Sequence, residues 1–149
     1  MDKADHAVAC FNNGCNCSQA VFTAFCEDLG LDKKLGLKIA CSFGGGMGHI
    51  GETCGAVTGA LLVLGLKYGQ DNVEDKHSKE LNYLLVKDFT SRFKKRNGSV
   101  HCTELIGYDL SVDDQLNAAR QTDAFKTKCP SYVSDAVHLL EEIISEHNV

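Results

Sequence analysis

The sequence predicts an all-α protein, a single-domain helical bundle of about five to seven helices with a glycine-rich loop. Three observations predict this class. Apolar residues recur at helical spacing, residues that start and stop helices separate them, and no stretch alternates apolar and polar residues at period two. The 149 residues have the length of one domain and 44% of them are hydrophobic, so we assign residues 1–149 to one helical domain.

The first two helices are expected within the first 30 residues. Asp2 to Phe11 forms a short amphipathic helix that ends at an Asn-Asn-Gly turn. Asn16 is placed to cap the second helix, with Gln19 at the reciprocal position of a capping box. Gly30 supplies the C-terminal stop of this second helix.

The middle of the chain combines two helices with the glycine-rich loop. A third helix is expected to start at Asp32 and to run through Phe43 into the glycine run 44–48. Thr53 is placed to cap a fourth helix, from Cys54 to about Tyr68. Because this fourth helix is apolar on all sides, we expect it to be buried.

The second half of the chain is expected to be helical throughout. A fifth helix runs from about Asp75 to Asn97, and a short helical piece follows from His101 to Ile106. Ser111 with Asp114 indicates a further start. The last helix is expected to open at Pro130, since proline is favoured in the first turn.

The glycine-rich loop carries two nucleotide-binding patterns, of which we disfavour the first and reject the second. Gly46 to Gly51 spells G-x-G-x-x-G, and Asp71 lies where a ribose-binding acid belongs, but the helical second half leaves no parallel sheet for a dinucleotide fold. The same residues approach a P-loop, except that Glu52 replaces the phosphate-binding lysine. We expect these glycines to let one backbone segment pack closely on another.

Charge and hydropathy exclude several kinds of partner. The formal net charge is −5 and the pI is near 5.6, the opposite of the balance expected for a protein that binds nucleic acid or anionic membranes. The most apolar stretch, Cys54 to Leu66, is shorter than the about 20 residues that span a bilayer. The N-terminus shows no signal-peptide pattern, so we expect a cytoplasmic protein with reduced thiols.

Four of the eight cysteines are expected at helix starts. They are Cys17, Cys54, Cys102 and Cys129. The free N–H groups and the positive dipole end of a helix start favour a thiolate, which is the form that binds a metal or attacks a disulfide. Because four such residues from four elements can converge at one end of a bundle, they are our candidate redox or metal-binding residues.

The other four cysteines have different explanations. Cys10, Cys26 and Cys41 fall on apolar helical faces, where cysteine packs as a small hydrophobic residue. Cys15 stays ambiguous, because it lies on a turn only two residues before Cys17. The chain contains no C-x-x-C, so the thioredoxin motif and the usual zinc knuckle are both absent.

A stripe of small residues opens the fourth predicted helix. Gly55 and Gly59 repeat at i, i+4, and Ala56 and Ala60 do the same beside them. This stripe permits close helix contact, either within the core or in a helical homodimer. A backbone that passes near a cofactor would use the same residues, so Gly55, Ala56 and Gly59 are candidate cofactor-binding positions.

Two histidines are further candidates. His49, in the glycine-rich loop, could bind a metal or donate a hydrogen bond to a sulfur. His101 could activate the thiol of its neighbour Cys102. A solvated loop position is the simpler explanation for each of them.

The order of these motifs resembles a known family. The matching segments are 16–21, 43–47, 51–60, 102–109 and 128–129, and the resemblance that they carry extends over nearly the whole chain. They are similar to the C-GCAxxG-C-C family of bacterial and archaeal redox-active proteins, which is named for its cysteine pattern. This chain has Cys54-Gly55-Ala56 where the family label has Gly-Cys-Ala. The four family cysteines map to the four that helix starts also select.

The resemblance implies a redox function that depends on those four cysteines. An iron–sulfur cluster or a similar metal centre for electron transfer is the first hypothesis for the cofactor. A metal-free thiol–disulfide oxidoreductase and a structural zinc-binding module stay open as alternatives. A redox function also implies a redox partner protein or oxidoreductase, which the sequence does not identify.

Overall fold

The computed structural model describes residues 2–147, and the regular structure of that range is helical. Its eight α-helices are α1 (Lys3–Asn12), α2 (Cys17–Thr23), α3 (Lys33–Ala40), α4 (Gly55–Tyr68), α5 (Lys76–Asn97), α6 (Cys102–Ile106), α7 (Asp113–Gln121) and α8 (Ala124–Glu146). A 3-10 turn at Cys41–Phe43 and a glycine turn at Gly44–Met47 join α3 to α4. The predicted all-α class is therefore confirmed, with slightly more helices than expected.

Several helices start where local capping predicts. The side chain of Asn16 accepts a hydrogen bond from the Gln19 N–H at 2.9 Å, and the Gln19 side chain accepts one from the Asn16 N–H at 3.0 Å. At the starts of α3 and α5, the side chains of Asp32 and Asp75 each accept a hydrogen bond from the N–H three residues later. The capping-box start of α2 is thus confirmed, because a cap needs only neighbouring backbone groups.

Helix α2 is shorter than expected, since it ends at Thr23 and not at Gly30. The N–H groups of Phe25 and Leu29 each bond to a carbonyl three residues earlier, at 3.1 Å, so residues 24–30 form tight turns and not a continued helix. Phe25 and Cys26 are both buried in these turns. The packing role expected for Cys26 is therefore confirmed.

Helix α3 also ends early, at Ala40, and the 3-10 turn follows it directly. A 3-10 turn has three residues per turn, so it rotates the following side chains away from the face that an α-helix would bury. Cys41 is exposed as a result. The packing role expected for Cys41 from its apolar helical face is wrong.

Two helix starts lie one residue away from the expected cap. Cys54 itself is the N-cap of α4, because Thr53 is engaged in an isolated antiparallel bridge with His101. Val112 is the N-cap of α7, because the Ser111 hydroxyl donates a hydrogen bond to Asp109 instead.

The last helix, α8, begins six residues before the expected start at Pro130. Asp123 precedes it in a left-handed conformation, and Pro130 lies in the helix interior. An interior proline costs about 3 kcal/mol because it removes one hydrogen bond and crowds the preceding turn. The apolar face of α8 continues back to Ala124 and offsets that cost by its burial. Cys129 is consequently inside a helix, and its expected helix-start position is wrong.

Helix α4 forms the centre of the bundle and packs against α2, α5 and α8. A Cβ atom added to Gly59 would lie 2.7 Å from the Ser18 carbonyl oxygen, and one added to Gly55 would lie 3.0 Å from the Cys17 Cβ. The small-residue stripe therefore seats α2 against α4 inside the chain, and does not offer a surface for a dimer. Within residues 2–147 none of the helices has the length and apolar character needed to cross a membrane.

Candidate functional site

The four cysteines selected from the sequence line one cavity of about 290 Å³. Their exposed fractions are 8% for Cys17, 4% for Cys54, 6% for Cys102 and 4% for Cys129. All four are free thiols. The other lining residues are Phe11, Gly14, Cys15, Asn16, Gly45, His49, Gly55, Leu105, Ile106, Arg120, Phe125 and Tyr132.

Cys54 and Cys102 are brought to the cavity by two segments that pair with each other. The Cys102 N–H donates to the Glu52 carbonyl at 2.6 Å, and the Cys54 N–H donates to the Val100 carbonyl at 2.7 Å. These two bonds flank the bridge between residues 53 and 101. The start of α4 and the start of α6 are therefore held side by side, although about fifty residues separate them in the chain.

The glycine turn supports this paired segment from outside. Gly45 and Gly46 have φ angles of 66° and 70°, a left-handed conformation that glycine adopts without strain. A Cβ atom on Gly46 would lie 2.8 Å from the Cys102 Cβ and 2.7 Å from the Glu52 nitrogen. The glycines thus serve close backbone packing against the site, as expected from the sequence.

Cys129 reaches the cavity from α8, and two long side chains fix α8 against α6. The Tyr132 hydroxyl donates to the Leu105 carbonyl and the Lys128 ammonium donates to the Ile106 carbonyl, both at 2.9 Å. These bonds satisfy carbonyl groups in the last turn of α6, where a helix has no further N–H groups of its own to donate to them. The positions of Cys102 and Cys129 are linked in this way.

Cys17 and Cys129 interact directly. The Cys17 thiol donates a hydrogen bond to the Cys129 sulfur, which raises the pKa of Cys17 well above its usual range, and burial adds to that increase. The same hydrogen bond lowers the pKa of Cys129, and the positive charge of Lys128 lowers it further. Within this pair the negative charge is therefore favoured on Cys129.

The other two thiols are stabilised in their protonated form. Burial raises the pKa of Cys54 to about 11, although the N–H groups at the start of α4 oppose the increase. Burial also raises the pKa of Cys102 to about 12, and the neighbouring sulfurs of Cys54 and Cys129 contribute. At Cys54 the effect of the helix start, on which the sequence argument relied, is smaller than the cost of desolvation.

The candidate small residues and histidines occupy different places. Gly55 lines the cavity, whereas Ala56 and Gly59 are buried next to it in α4. His49 lines the cavity and is largely exposed. His101 is exposed and precedes α6 as its N-cap.

The sequence argument missed a disulfide between Cys10 and Cys15. Cys15 lines the cavity beside the four thiols, and Cys10 packs against the hydrophobic core, as expected, while also forming this bond. The chain reverses direction at Asn12 to Gly14, and the Cys15 N–H donates to the Cys10 carbonyl at 3.0 Å. The Asn-Asn-Gly turn between two cysteines was the available signal, since such a turn brings its two ends together.

The spacing of the cysteine sulfurs limits which of the suggested metal centres they could hold. Within residues 2–147, no three of the cysteine sulfurs lie within 4.8 Å of one another. Sulfurs that share one zinc ion lie roughly 3.5–4 Å apart, so the arrangement does not fit a single ion. Four thiols around one cavity match the number of cysteine ligands that an iron–sulfur cluster requires.

A family comparison covers the region that contains all four of these cysteines. Residues 15–143 match the family model described as "Putative redox-active protein (C_GCAxxG_C_C)". No curated protein and no solved structure matches the chain. The match extends over most of the sequence and includes the paired segments, the glycine turn and both members of the Cys17–Cys129 pair. The chain therefore belongs to the C_GCAxxG_C_C family of redox-active proteins.

Proposed function

We propose that the protein carries out thiol–disulfide exchange, with Cys17 and Cys129 as its reactive dithiol. The observation that carries this proposal is that these two buried thiols line one cavity and that each shifts the pKa of the other. A dithiol that cycles to a disulfide needs two neighbouring sulfurs, of which one attacks and the other resolves. Helices α2 and α8, which carry the pair, pack against each other, so little movement is needed to form the bond.

Cys54 and Cys102 are the other two thiols that line the cavity. They are held by the paired segments around the bridge between Thr53 and His101. Their raised pKa values keep them protonated, which makes them slower nucleophiles than Cys129. We therefore assign the attacking role to Cys129 and the resolving role to Cys17, and keep Cys54 and Cys102 outside the first exchange.

The depth of the thiols selects the class of redox partner. All four are at most 8% exposed, so the sulfur of a folded partner protein does not reach them directly. A cavity of about 290 Å³ accepts a small disulfide or thiol. We therefore propose a small-molecule disulfide as the direct oxidant.

Stepwise oxidation tests the proposal. The Cys10→Ser/Cys15→Ser variant, which cannot form the local disulfide, is fully reduced and treated with one equivalent of diamide. Free thiols are then alkylated in acid, and disulfide-linked peptides are identified by mass spectrometry. We expect a peptide that links Cys17 to Cys129, the loss of two thiols, and no such product in Cys129→Ser. Cys26→Ser is the matched control, because Cys26 is buried outside the cavity. A first disulfide that excludes both Cys17 and Cys129 would refute the assignment.

An iron–sulfur cluster is the second candidate, and the convergence of four thiols on one cavity favours it. Cys17, Cys54, Cys102 and Cys129 would hold the cluster, which would supply one-electron transfer when bound. The chain itself contributes burial, and the close seating of α2 on α4 at Gly55 and Gly59 holds two of the ligands. Anaerobic purification with iron and sulfide analysis separates the two candidates. Colourless, iron-free protein after reconstitution eliminates the cluster and leaves the dithiol.

A further inference from the structure

A disulfide that the proposed dithiol does not use borders the same cavity. Cys10, in the last turn of α1, is bonded to Cys15, which lies between α1 and α2. Cys15 lines the cavity together with Cys17 and Cys129. In a reducing compartment a disulfide of this kind is usually catalytic or redox-sensing and not structural. Its place in the cavity wall therefore requires an explanation beyond packing.

The disulfide and the dithiol are close in the chain as well as in space. Cys15 and Cys17 flank the Asn16 cap and are two residues apart, so their Cα atoms are separated by at most about 7 Å. Disulfide-bonded residues have Cα atoms roughly 4.4–6.8 Å apart. Helix α8, which carries Cys129, packs on both α1 and α2. The two sulfur pairs are thus within the range at which exchange between them needs only local rearrangement.

The disulfide also lies nearer to solvent than the dithiol. Cys10 and Cys15 are half-buried, whereas Cys17 and Cys129 are buried. Gly14, which adjoins Cys15, is exposed and lines the cavity. Of the cysteines around the cavity, the Cys10–Cys15 pair is therefore the one that an external thiol protein would contact first.

We propose that Cys10–Cys15 is a second redox couple, which exchanges two electrons with the Cys17–Cys129 dithiol and connects it to the surface. This inference rests on the proposed function of that dithiol. The pair lies outside the four family cysteines, so it adds a redox site specific to this arrangement of eight cysteines.

The exchange balances without any added reagent. The Cys129 thiolate attacks the Cys15 sulfur, a Cys129–Cys15 bond forms, the Cys10–Cys15 bond breaks, and Cys10 leaves as a thiolate. Cys17 then loses its proton and attacks the Cys129 sulfur, which forms the Cys17–Cys129 disulfide and releases Cys15 as a thiolate. The proton from Cys17 passes to one of the released thiolates. Two electrons have then moved from the buried pair to the surface pair.

The test traps the mixed disulfide. In a Cys41→Ser background, which removes the exposed free thiol, the Cys17→Ser variant lacks the group that resolves the intermediate. After full reduction and one equivalent of diamide, acid quenching and peptide mapping are expected to reveal a Cys15–Cys129 link in this variant. In the parent protein, the Cys17–Cys129 and Cys10–Cys15 disulfides are expected to interconvert at a rate independent of protein concentration.

The outcomes separate the two proposals. The parent could form the Cys17–Cys129 disulfide with no accompanying change in the oxidation of Cys10–Cys15, and with no trapped Cys15–Cys129 link. That result would refute the second redox couple and leave the proposed dithiol intact. If Cys17–Cys129 does not form in the parent, the proposed function fails first. Circular dichroism of both variants confirms that they are folded. A Cys10→Ser/Cys17→Ser variant gives an independent reading, since its Cys15 and Cys129 should then form a stable disulfide.

Discussion

The sulfur of Cys129 depends on two neighbouring side chains for its charge. The Cys17 thiol donates a hydrogen bond to it, and Lys128 contributes a positive charge from the preceding residue. The Lys128 ammonium is also bonded to the Ile106 carbonyl at 2.9 Å, so its position is fixed. Single-residue changes around Cys129 should therefore alter its reactivity without altering the fold.

Replacing Cys17 by alanine removes the donor, whereas serine retains a hydroxyl that donates. Because a hydrogen bond to the charged form lowers a pKa, Cys17→Ala should raise the pKa of Cys129 and slow its alkylation at neutral pH. Cys17→Ser should alkylate at nearly the parental rate. The measurement is the rate of iodoacetamide modification of Cys129 across a pH series, followed by mass spectrometry. Equal rates in the alanine and serine variants would contradict the role of the donor.

Arg120 is the only Lys, Arg, Asp or Glu among the residues that line the cavity. A cation beside an entrance raises the local concentration of anions and their rate of encounter. Arg120→Gln should therefore slow the reaction with the doubly charged disulfide DTNB roughly tenfold, and leave the neutral 4,4′-dithiodipyridine unaffected. Lys126→Gln is the control, since it makes the same change of charge outside the cavity lining. Equal slowing by both variants, or with both reagents, would assign the effect to net charge.

At the scale of helices, the contact between α2 and α4 decides whether Cys17 reaches the cavity. The backbones approach so closely at Gly59 that a Cβ atom there would lie 2.7 Å from the Ser18 oxygen. Ser18 directly follows Cys17, so any separation of the two helices also moves the thiol. The packing of α2 on α4 thus fixes the position of Cys17 relative to Cys129.

Two glycines of the same helix provide a matched comparison. Gly59→Ala should destabilise the protein by about 1–3 kcal/mol, because overpacking forces α2 away from α4. Gly65→Ala meets no atom within 4 Å and should stabilise the helix by up to about 1 kcal/mol. Urea unfolding monitored by circular dichroism gives both values, and thiol mapping shows whether Gly59→Ala also slows formation of the Cys17–Cys129 disulfide. Similar free energies of unfolding for the two variants would contradict the close contact.

The elements also show what local sequence could and could not predict. The caps at Asn16, Asp32 and Asp75 were predictable because each bonds to a backbone group three residues away. The start of α8 was not, because the burial of a whole helix face overrides the preference of Pro130 for a first turn. The site showed the same division. The four cavity cysteines could be selected by pattern and resemblance, whereas the bonding of Cys10 to Cys15 depends on how the chain turns in three dimensions.

For the molecule as a whole, Arg92 connects the long helices α5 and α8. Its guanidinium bonds to Asp88 at 2.8 Å within α5 and to Glu146 at 2.6 Å near the end of α8. The two carboxylates and His147 form a group with metal-ligand spacing, but the guanidinium already donates hydrogen bonds to both carboxylates. This ion pair holds the C-terminal end of α8 against α5.

The pH dependence of stability should report this connection. The hydrogen bond from Arg92 lowers the pKa of Glu146, so the folded state binds the proton less readily than the unfolded state. The resulting stabilisation is present above the unfolded pKa of about 4.3 and is lost as the pH falls through the lower folded value. Arg92→Gln should therefore weaken stability at neutral pH, with a difference from the parent that shrinks in acid. A pH-independent difference between the two unfolding curves would contradict the assignment.

The homodimer stays a prediction, and it now needs a different surface. The small-residue stripe that suggested it is buried between α2 and α4. Exposed apolar side chains do occur on α5, where Tyr83 and Leu84 are more than half exposed. A self-association contact, if present, would have to use such a face.

The bridge between Thr53 and His101 has a consequence for the order in which a newly made chain acquires its chemistry. Cys54 leaves the ribosome before Cys102, and Cys129 follows after both. The cavity therefore cannot form until Cys129 has emerged, whereas Cys10 and Cys15 are close in sequence and close a short loop at small entropic cost. An oxidant that meets the growing chain would find that local pair first, and the thiols that later face the cavity would be spared from incorrect pairing with it.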